Sequence, residues 1–431
     1  MSTGITPDPP AGVDLERLAA AVGEARTRYG GYLTRGLKLD LTRGKPCREQ
    51  LDLAEGMISV LAPGDHSTED AGDLRNYGGA PKGLRELREI FAPLLDVPVD
   101  QLVARDNSSL SLMHFCLASS FFHAPPGGTQ RWAGRPVRFL APSPGYDRHF
   151  AVCTDLGIEL IPVPMNDTGP DVDAVAALVR DDASVKGIWC VPKYSNPTGV
   201  TYTDEVVHAL AALPAAAKDF RIYWDNAYAI HHLADTGDAL TSVLAACADA
   251  GNPDRVFVFA STSKVSLAGG GVSFFGASPA NVAWFLARDG FRTIGPDKVN
   301  QLRHVRFFGS TQGVTEHMER HRAILAPKFD AVAKALHEDL EPLGIASWTD
   351  PRGGYFVSLD AVPGTAKRVV ELAGAAGVAL TPAGATYPGG EDPQDRNIRI
   401  APTFPGVGEL EEALRVLTTC VVLAAGEKLL T

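Results

Sequence analysis

The chain has 431 residues, long enough for two cores, and its 45% hydrophobic and 21% charged residues are ordinary for a globular protein in water. A net charge of −11 argues against a nucleic-acid or anionic-membrane partner. Six scattered cysteines without a CxxC pair exclude a disulfide or zinc framework and point to reduced, mostly buried thiols. The opening MSTGITPDPP has neither a basic stretch nor an apolar core of the kind a signal peptide needs, and no run is apolar enough to span a membrane. A cytoplasmic protein is expected.

In chain order, Asp14 is placed to cap a helix through DLERLAAAVGEARTRY, with Leu15, Leu18, Ala19, Val22 and Ala25 forming one apolar stripe. GLRELREIFAPLL repeats the helical pattern with Leu84, Leu87, Phe91 and Leu94. Six short runs rich in β-branched and aromatic residues follow: VRFLAP, ELIPVPM, KGIWCVP, RIYWDNAY, RVFVFAST and GVSFFGAS. Most are separated by helical segments such as VDAVAALVRD and DEVVHALAALPAAA. Continuous apolar strands alternating with helices predict an α/β fold with a mainly parallel sheet covered on both faces. From about residue 325 a long helical stretch leads to RGGYFVSLD, another helix and NIRIAPTFP, which predicts a smaller α+β domain. The expected division is residues 1–60 contributing to the small domain, 61–324 as the large domain and 325–431 as the C-terminal small domain.

In an open parallel sheet, ligands bind at the carboxyl ends of the strands. The strand-end residues here are Pro192 to Pro197, Asp225 to Tyr228 and Ser261 to Lys264. Each alone has a plain structural reading. Asn196-Pro197-Thr198-Gly199 makes a turn, Asp225 caps a helix, and Ser261 to Ser263 form an N-cap cluster. Their joint occurrence at successive strand ends has one chemical explanation that uses them all. A lysine at a partly desolvated strand end has its ammonium form disfavoured and becomes a nucleophile for an aldehyde. Pyridoxal phosphate (PLP) is the common aldehyde cofactor and acts as an electron sink. Lys264 would bond it, Asp225 would face the pyridine nitrogen, and Asn196 and Tyr228 would donate to the phenolic oxygen. Ser261, Ser263 and the helix start DNSSLSLM, residues 106–113, would take the phosphate.

The set YSNPTG, DNAY, STSK and NIRI, in that order and spacing, resembles the fold-type-I PLP enzymes of the class I/II aminotransferases over nearly the whole chain. NYGGAPKGLRELR, TRGKP, WDNAYAIHHL and SKVSLAGGGVSFF resemble the bacterial aspartate aminotransferase subgroup related to MocR-type catalytic domains. The resemblance implies a large domain with a seven-stranded sheet and a smaller α+β domain. It makes Lys264 the cofactor lysine and proton carrier, with Asp225 and Tyr228 completing the catalytic set. It makes Tyr146 the ring-stacking aromatic and places Asn107, Ser108 and Ser109 at the phosphate turn. Tyr77 would reach the phosphate of the neighbouring subunit, implying a homodimer with shared sites. Arg399 would fork the substrate α-carboxylate, a task suited to a planar guanidinium, with Asn196 and the backbone of Gly44 beside it. The implied reaction moves an amino group from an L-amino acid, aspartate above all, to 2-oxoglutarate.

One departure stands out: many relatives carry a phosphate-binding arginine shortly after the lysine, where SKVSLAGGGVS has glycines and a valine. The cation for a substrate side-chain carboxylate is left among Arg303, Arg306, Lys298, Arg43 and Lys45. His231 and His232 show no third ligand at metal-binding spacing, so no metal is expected, and Trp224 reads as core. An aminotransferase for another donor, aromatic or alanine-type, and a PLP lyase share these motifs. A PLP-sensing regulator would need a DNA-binding module, and with an acidic chain and about a dozen residues before the first helix that reading is not expected.

Overall fold

The computed structural model describes residues 13–431; the opening MSTGITPDPP lies outside the described residues. The main sheet is built from β1 (Leu102–Arg105), β2 (Arg138–Ser143), β3 (Glu159–Asn166), β4 (Gly169–Pro170), β5 (Val185–Cys190), β6 (Arg221–Asp225), β7 (Val256–Ser261) and β8 (Ser273–Ala277). Their spatial order is β1-β8-β7-β6-β5-β2-β3-β4. The pairs β7–β6, β6–β5, β5–β2 and β2–β3 are parallel, whereas β8 runs antiparallel to both neighbours. All six apolar runs form strands. The sheet has eight strands where seven were expected, because the two-residue β4 hairpins onto the end of β3. β1 escaped the run-based reading because LVAR is only four residues long, too short to show a pattern.

The interior strands β5, β6 and β7 are buried almost throughout, as expected for a sheet covered on both faces. One face packs against α3 (Arg85–Leu95), α6 (Val172–Arg180) and α7 (Asp204–Ala211). The other packs an aromatic layer, including Trp132, Phe139, Trp189, Tyr223, Phe257 and Phe275, against α4 (Ser109–Phe122).

A separate hydrophobic cluster joins α1 (Leu15–Leu33) and Leu41 with the C-terminal elements, in which Val357–Ala361 pairs antiparallel with Ala346–Trp348 and Asn397–Ile400, while the short α2 (Arg48–Asp52) lies against the long helix of residues 311–339. Asp14 caps α1, its carboxylate accepting from the Glu16 and Arg17 amides. The stripe is narrower than expected: Leu18, Val22 and Ala25 are buried, but Leu15 and Ala19 face out. α1 docks on α10 (Val407–Leu429), and only positions aligned with that one partner are covered. The change of texture near residue 325 falls inside the 29-residue helix α9 (Thr311–Asp339), which follows α8 (Lys298–Phe308). Val314 and Met318 of α9 pack into the large core, and Phe329, Val332 and Leu336 into the second. Between the two cores sits a small cluster of Val191, Tyr194, Tyr228, Leu325, Tyr355, Phe356 and Ala401.

Candidate active site

A cleft of about 620 Å³ opens over that small cluster, at the carboxyl ends of the parallel strands. Gly44, Ser108, Ser109, Tyr146, Asn196, Asp225, Tyr228, Ser261, Ser263, Lys264 and Arg399 all line it. Asn107 is exposed just outside, its carbonyl accepting from Ser263 Oγ at 3.3 Å. Tyr77 is 84% exposed and does not line the cleft of its own chain.

Lys264 follows β7 in a tight turn whose framework is the buried Thr262, bonded to Val272 through its amide and hydroxyl. Burial depresses the Lys264 ammonium below its ordinary range, and the Asp225 carboxylate partly opposes that shift. The Nζ lies 5.1 Å from the Tyr228 ring centroid.

Asp225 ends β6. Its Oδ2 accepts from His149 Nε2 at 3.0 Å, and both side chains are almost wholly buried. The His149 ring stacks on Trp189, with centroids 4.2 Å apart. Asp225 Oδ1 is buried and has no hydrogen-bond partner among the described residues. An unmatched buried carboxylate oxygen is costly unless a donor arrives. A protonated ring nitrogen is such a donor, so the residues present fit PLP. His149, which the structure sets against Asp225, is a site residue candidate that the sequence reading missed. The available signal was its spacing from Tyr146, three positions on along the start of α5 (Asp147–Asp155), with ring centroids 4.9 Å apart.

At the other end of the cleft, α4 begins at Ser108 without a side-chain cap, leaving its first amides free for an anion. Ser261 Oγ donates to Ser263 Oγ at 3.1 Å beside it. Arg292, behind this turn, is held by Asp106 at 2.7 Å and Asp289 at 2.6 Å. The anion donors that this end of the cleft offers are therefore amides and hydroxyls.

On the substrate side, Arg399 lies in Asn397–Ile400 with its guanidinium 5.0 Å from the Phe356 ring centroid. Its Nη1 donates to Asp147 Oδ1 at 2.9 Å and Asn196 Oδ1 at 3.3 Å, and its Nη2 to Thr381 Oγ1 at 3.4 Å. Its buried Nε has no partner among the described residues. Asp147 was also missed by the sequence reading. Gly44 is required by contact: a Cβ there would stand 2.4 Å from Phe356 Cζ.

Of the five cation candidates, Arg43 and Lys45 line the cleft. Lys45 Nζ lies 3.8 Å from the Phe404 ring centroid. Arg303 is exposed elsewhere, Arg306 pairs with Asp65 at 2.8 Å, and Lys298 Nζ donates to the Gly78 carbonyl at 2.5 Å. His231 and His232 point apart, His231 Nε2 to the Lys264 carbonyl and His232 Nδ1 to Tyr194 Oη. Trp224 is core, edge-on to Tyr202.

Comparison with known proteins agrees with this geometry. The family profile described as Aspartate amino-transferase matches residues 14–431. A Corynebacterium glutamicum protein named aspartate aminotransferase is 48% identical over 415 residues, covering 96% of each chain. The crystal structure of an aspartate transaminase from Corynebacterium glutamicum superposes with a TM-score of 0.93 at 48% identity, covering 96% of this chain and 97% of that one. A Pyrococcus horikoshii kynurenine aminotransferase solved with PMP shares the fold at TM-score 0.73 and 20% identity, covering 92% of this chain and 94% of that one. The chain belongs to the aspartate aminotransferase family, and it is an aminotransferase.

Proposed function

We propose that this aminotransferase works with PLP, takes its amino group from aspartate and passes it to 2-oxoglutarate. The observation that carries the reading is the buried, unmatched Asp225 Oδ1, in the same cleft as a lysine whose ammonium is disfavoured. Bound there, PLP supplies an electron sink for the negative charge that develops at the substrate Cα. Asp225, held by His149, keeps a proton on the ring nitrogen. Asn196, whose Oδ1 already faces Arg399, has its Nδ2 left for the ring oxygen, with Tyr228 Oη beside it. Tyr146, which lines the cleft, would cover the ring face. The α4 amides with Ser108, Ser109, Ser261 and Ser263 take the phosphate, without an arginine.

Arg399 binds the α-carboxylate and so aims the Cα–H bond, and Lys264 Nζ carries the proton removed from Cα. Aspartate is favoured by the name of the Corynebacterium glutamicum relative and by Arg43 and Lys45 in the cleft, since a second carboxylate needs a cation. A homodimer is favoured by the exposure of Tyr77, on a turn whose Gly78 carbonyl is held by the buried Lys298, so that the tyrosine would reach a partner's site. In this reading residues 61–324 carry the cofactor, 325–431 carry the substrate-binding Arg399 with 1–60 contributing to the same small domain, and the enzyme is cytoplasmic.

Purified protein given PLP should absorb in the visible, and with aspartate and 2-oxoglutarate it should form glutamate and oxaloacetate. Replacing Arg43 or Lys45 by Ala should lower kcat/KM for aspartate about tenfold to a hundredfold and spare alanine, the size of one charge-assisted hydrogen bond. A wild type that prefers aromatic or alanine donors ends the aspartate assignment. Release of more than one equivalent of product per site without a 2-oxo acid would indicate a lyase.

A further inference from the structure

Beneath Lys264 lie five buried polar side chains that the reaction outlined above does not use. Gln50 and Tyr355 are 0% exposed, His317 and His321 1%, and His231 4%. Burying so many polar groups is costly unless each bond is made. Here nearly every hydrogen has one place to go. Gln50 Oε1 accepts from the Cys47 amide at 3.1 Å, and Nε2 donates to Tyr355 Oη and to His321 Nδ1, each at 2.9 Å. His321, accepting at Nδ1, carries its hydrogen on Nε2. Arg320 Nη2 donates to His317 Nδ1 at 2.8 Å, so His317 also carries its hydrogen on Nε2, which donates to the Val265 carbonyl at 2.8 Å. His321 Nε2 lies 3.0 Å from that nitrogen, and since both carry a hydrogen neither accepts from the other; the two donors share the Val265 carbonyl. Tyr355 Oη donates at 3.5 Å, and His231 Nε2 at 3.3 Å, to the carbonyl of Lys264 itself.

Gln50 thus has a distinct position. Its acceptor side holds Cys47, the last residue of the TRGKPC loop, whose Thr42 to Lys45 line the cleft. Its donor side feeds both routes to the peptide carbonyls of Lys264 and Val265. Tyr355 adjoins Phe356, which packs on Gly44 and under Arg399. Nothing in the proposed chemistry calls for an amide at this junction.

We propose that Gln50 is a positioning residue: through Tyr355 and His321 its amide ties the substrate-side loop to the backbone of Lys264, holding the lysine amine in register with the carboxylate site. The inference rests on Lys264 being the cofactor lysine.

Gln50→Met keeps length and removes every bond, and Tyr355→Phe removes one route and keeps the ring. In PLP-loaded protein each should move the pH midpoint of the visible band by at least about half a unit, since the lysine nitrogen shifts relative to Asp225. Each should lower kcat with aspartate about fivefold to thirtyfold, the size of one or two neutral hydrogen bonds, with KM within about twofold. Because the Tyr355 route is one of the two that Gln50 feeds, the double variant should be within about twofold of the worse single one. Wild-type band titration in Gln50→Met, or effects that multiply in the double variant, would overturn the proposal. If Gln50→Met does not fold, the band midpoint of Tyr355→Phe decides alone. A wild type that shows no visible band with PLP, like a Lys264→Ala control, removes the cofactor reading and this inference with it.

Discussion

His149 Nε2 and Asp225 Oδ2 lie 3.0 Å apart and Arg399 Nη1 and Asp147 Oδ1 2.9 Å apart, yet the first two side chains are 2% and 4% exposed and the second two 6% and 36%. Equal lengths conceal different energetics. The first pair is sealed between Trp189 and the sheet, so water cannot replace either partner and the geometry is held through the reaction. In the second pair Asp147 is open to water, so an incoming carboxylate can exchange with it at small net cost. A cofactor floor should be permanent and a substrate latch replaceable.

Acid should act first on the buried histidines behind the Lys264 turn, and this is the largest effect expected. Burial pushes His317 and His304 down to about 4 and His321 to about 3, from an ordinary 6.5. Below pH 6.5 the unfolded chain takes up protons that these folded histidines refuse. The stability they contribute is therefore complete above pH 6.5 and lost as pH falls toward 4. Thermal melts between pH 7.5 and 4.5 should show Tm falling through that window; a flat profile would mean these histidines are wetter than their burial indicates.

Next in size is Asp225→Asn, which removes the charge while keeping the shape. It should lower kcat about a hundredfold to a thousandfold, the usual cost of losing one preorganised electrostatic contact. A loss below about tenfold would show that the sealed pair does not serve the chemistry. Smallest is Asp147→Asn. The substrate carboxylate no longer competes with a resident one, so KM for aspartate should fall, by no more than about fivefold for so exposed a partner. A rise in KM would show that Asp147 orients Arg399 and is not displaced.

The two sides also differ in how far the sequence disclosed them. Lys264, Asp225, Asn196 and the serines announce themselves because each follows an apolar run directly, and a parallel sheet brings strand ends to one edge whatever lies between. His149 and Asp147 carry no such mark. Their partners are 76 and 252 positions away, and a polar residue in the first turn of a helix is ordinary until its neighbour is known. The Gln50 junction was illegible for the same reason, since Gln50 and Tyr355 are 305 positions apart. Lys298, Arg303 and Arg306 looked equivalent to Arg43 and Lys45 as cations, but only the last two line this chain's cleft.

By itself the sequence determined the α/β class, the strand runs, the alternation that makes the sheet mainly parallel, and the reactive groups at its edge. These depend on local periodicity and on residue chemistry, which survive in one dimension. Tertiary structure alone decided which face of α1 is covered, where α9 passes from one core to the next, and which oxygen of Asp225 is left without a donor. Burial and hydrogen-bond pairing are properties of groups brought together from distant positions, and a carboxylate's role depends on whether water can reach it.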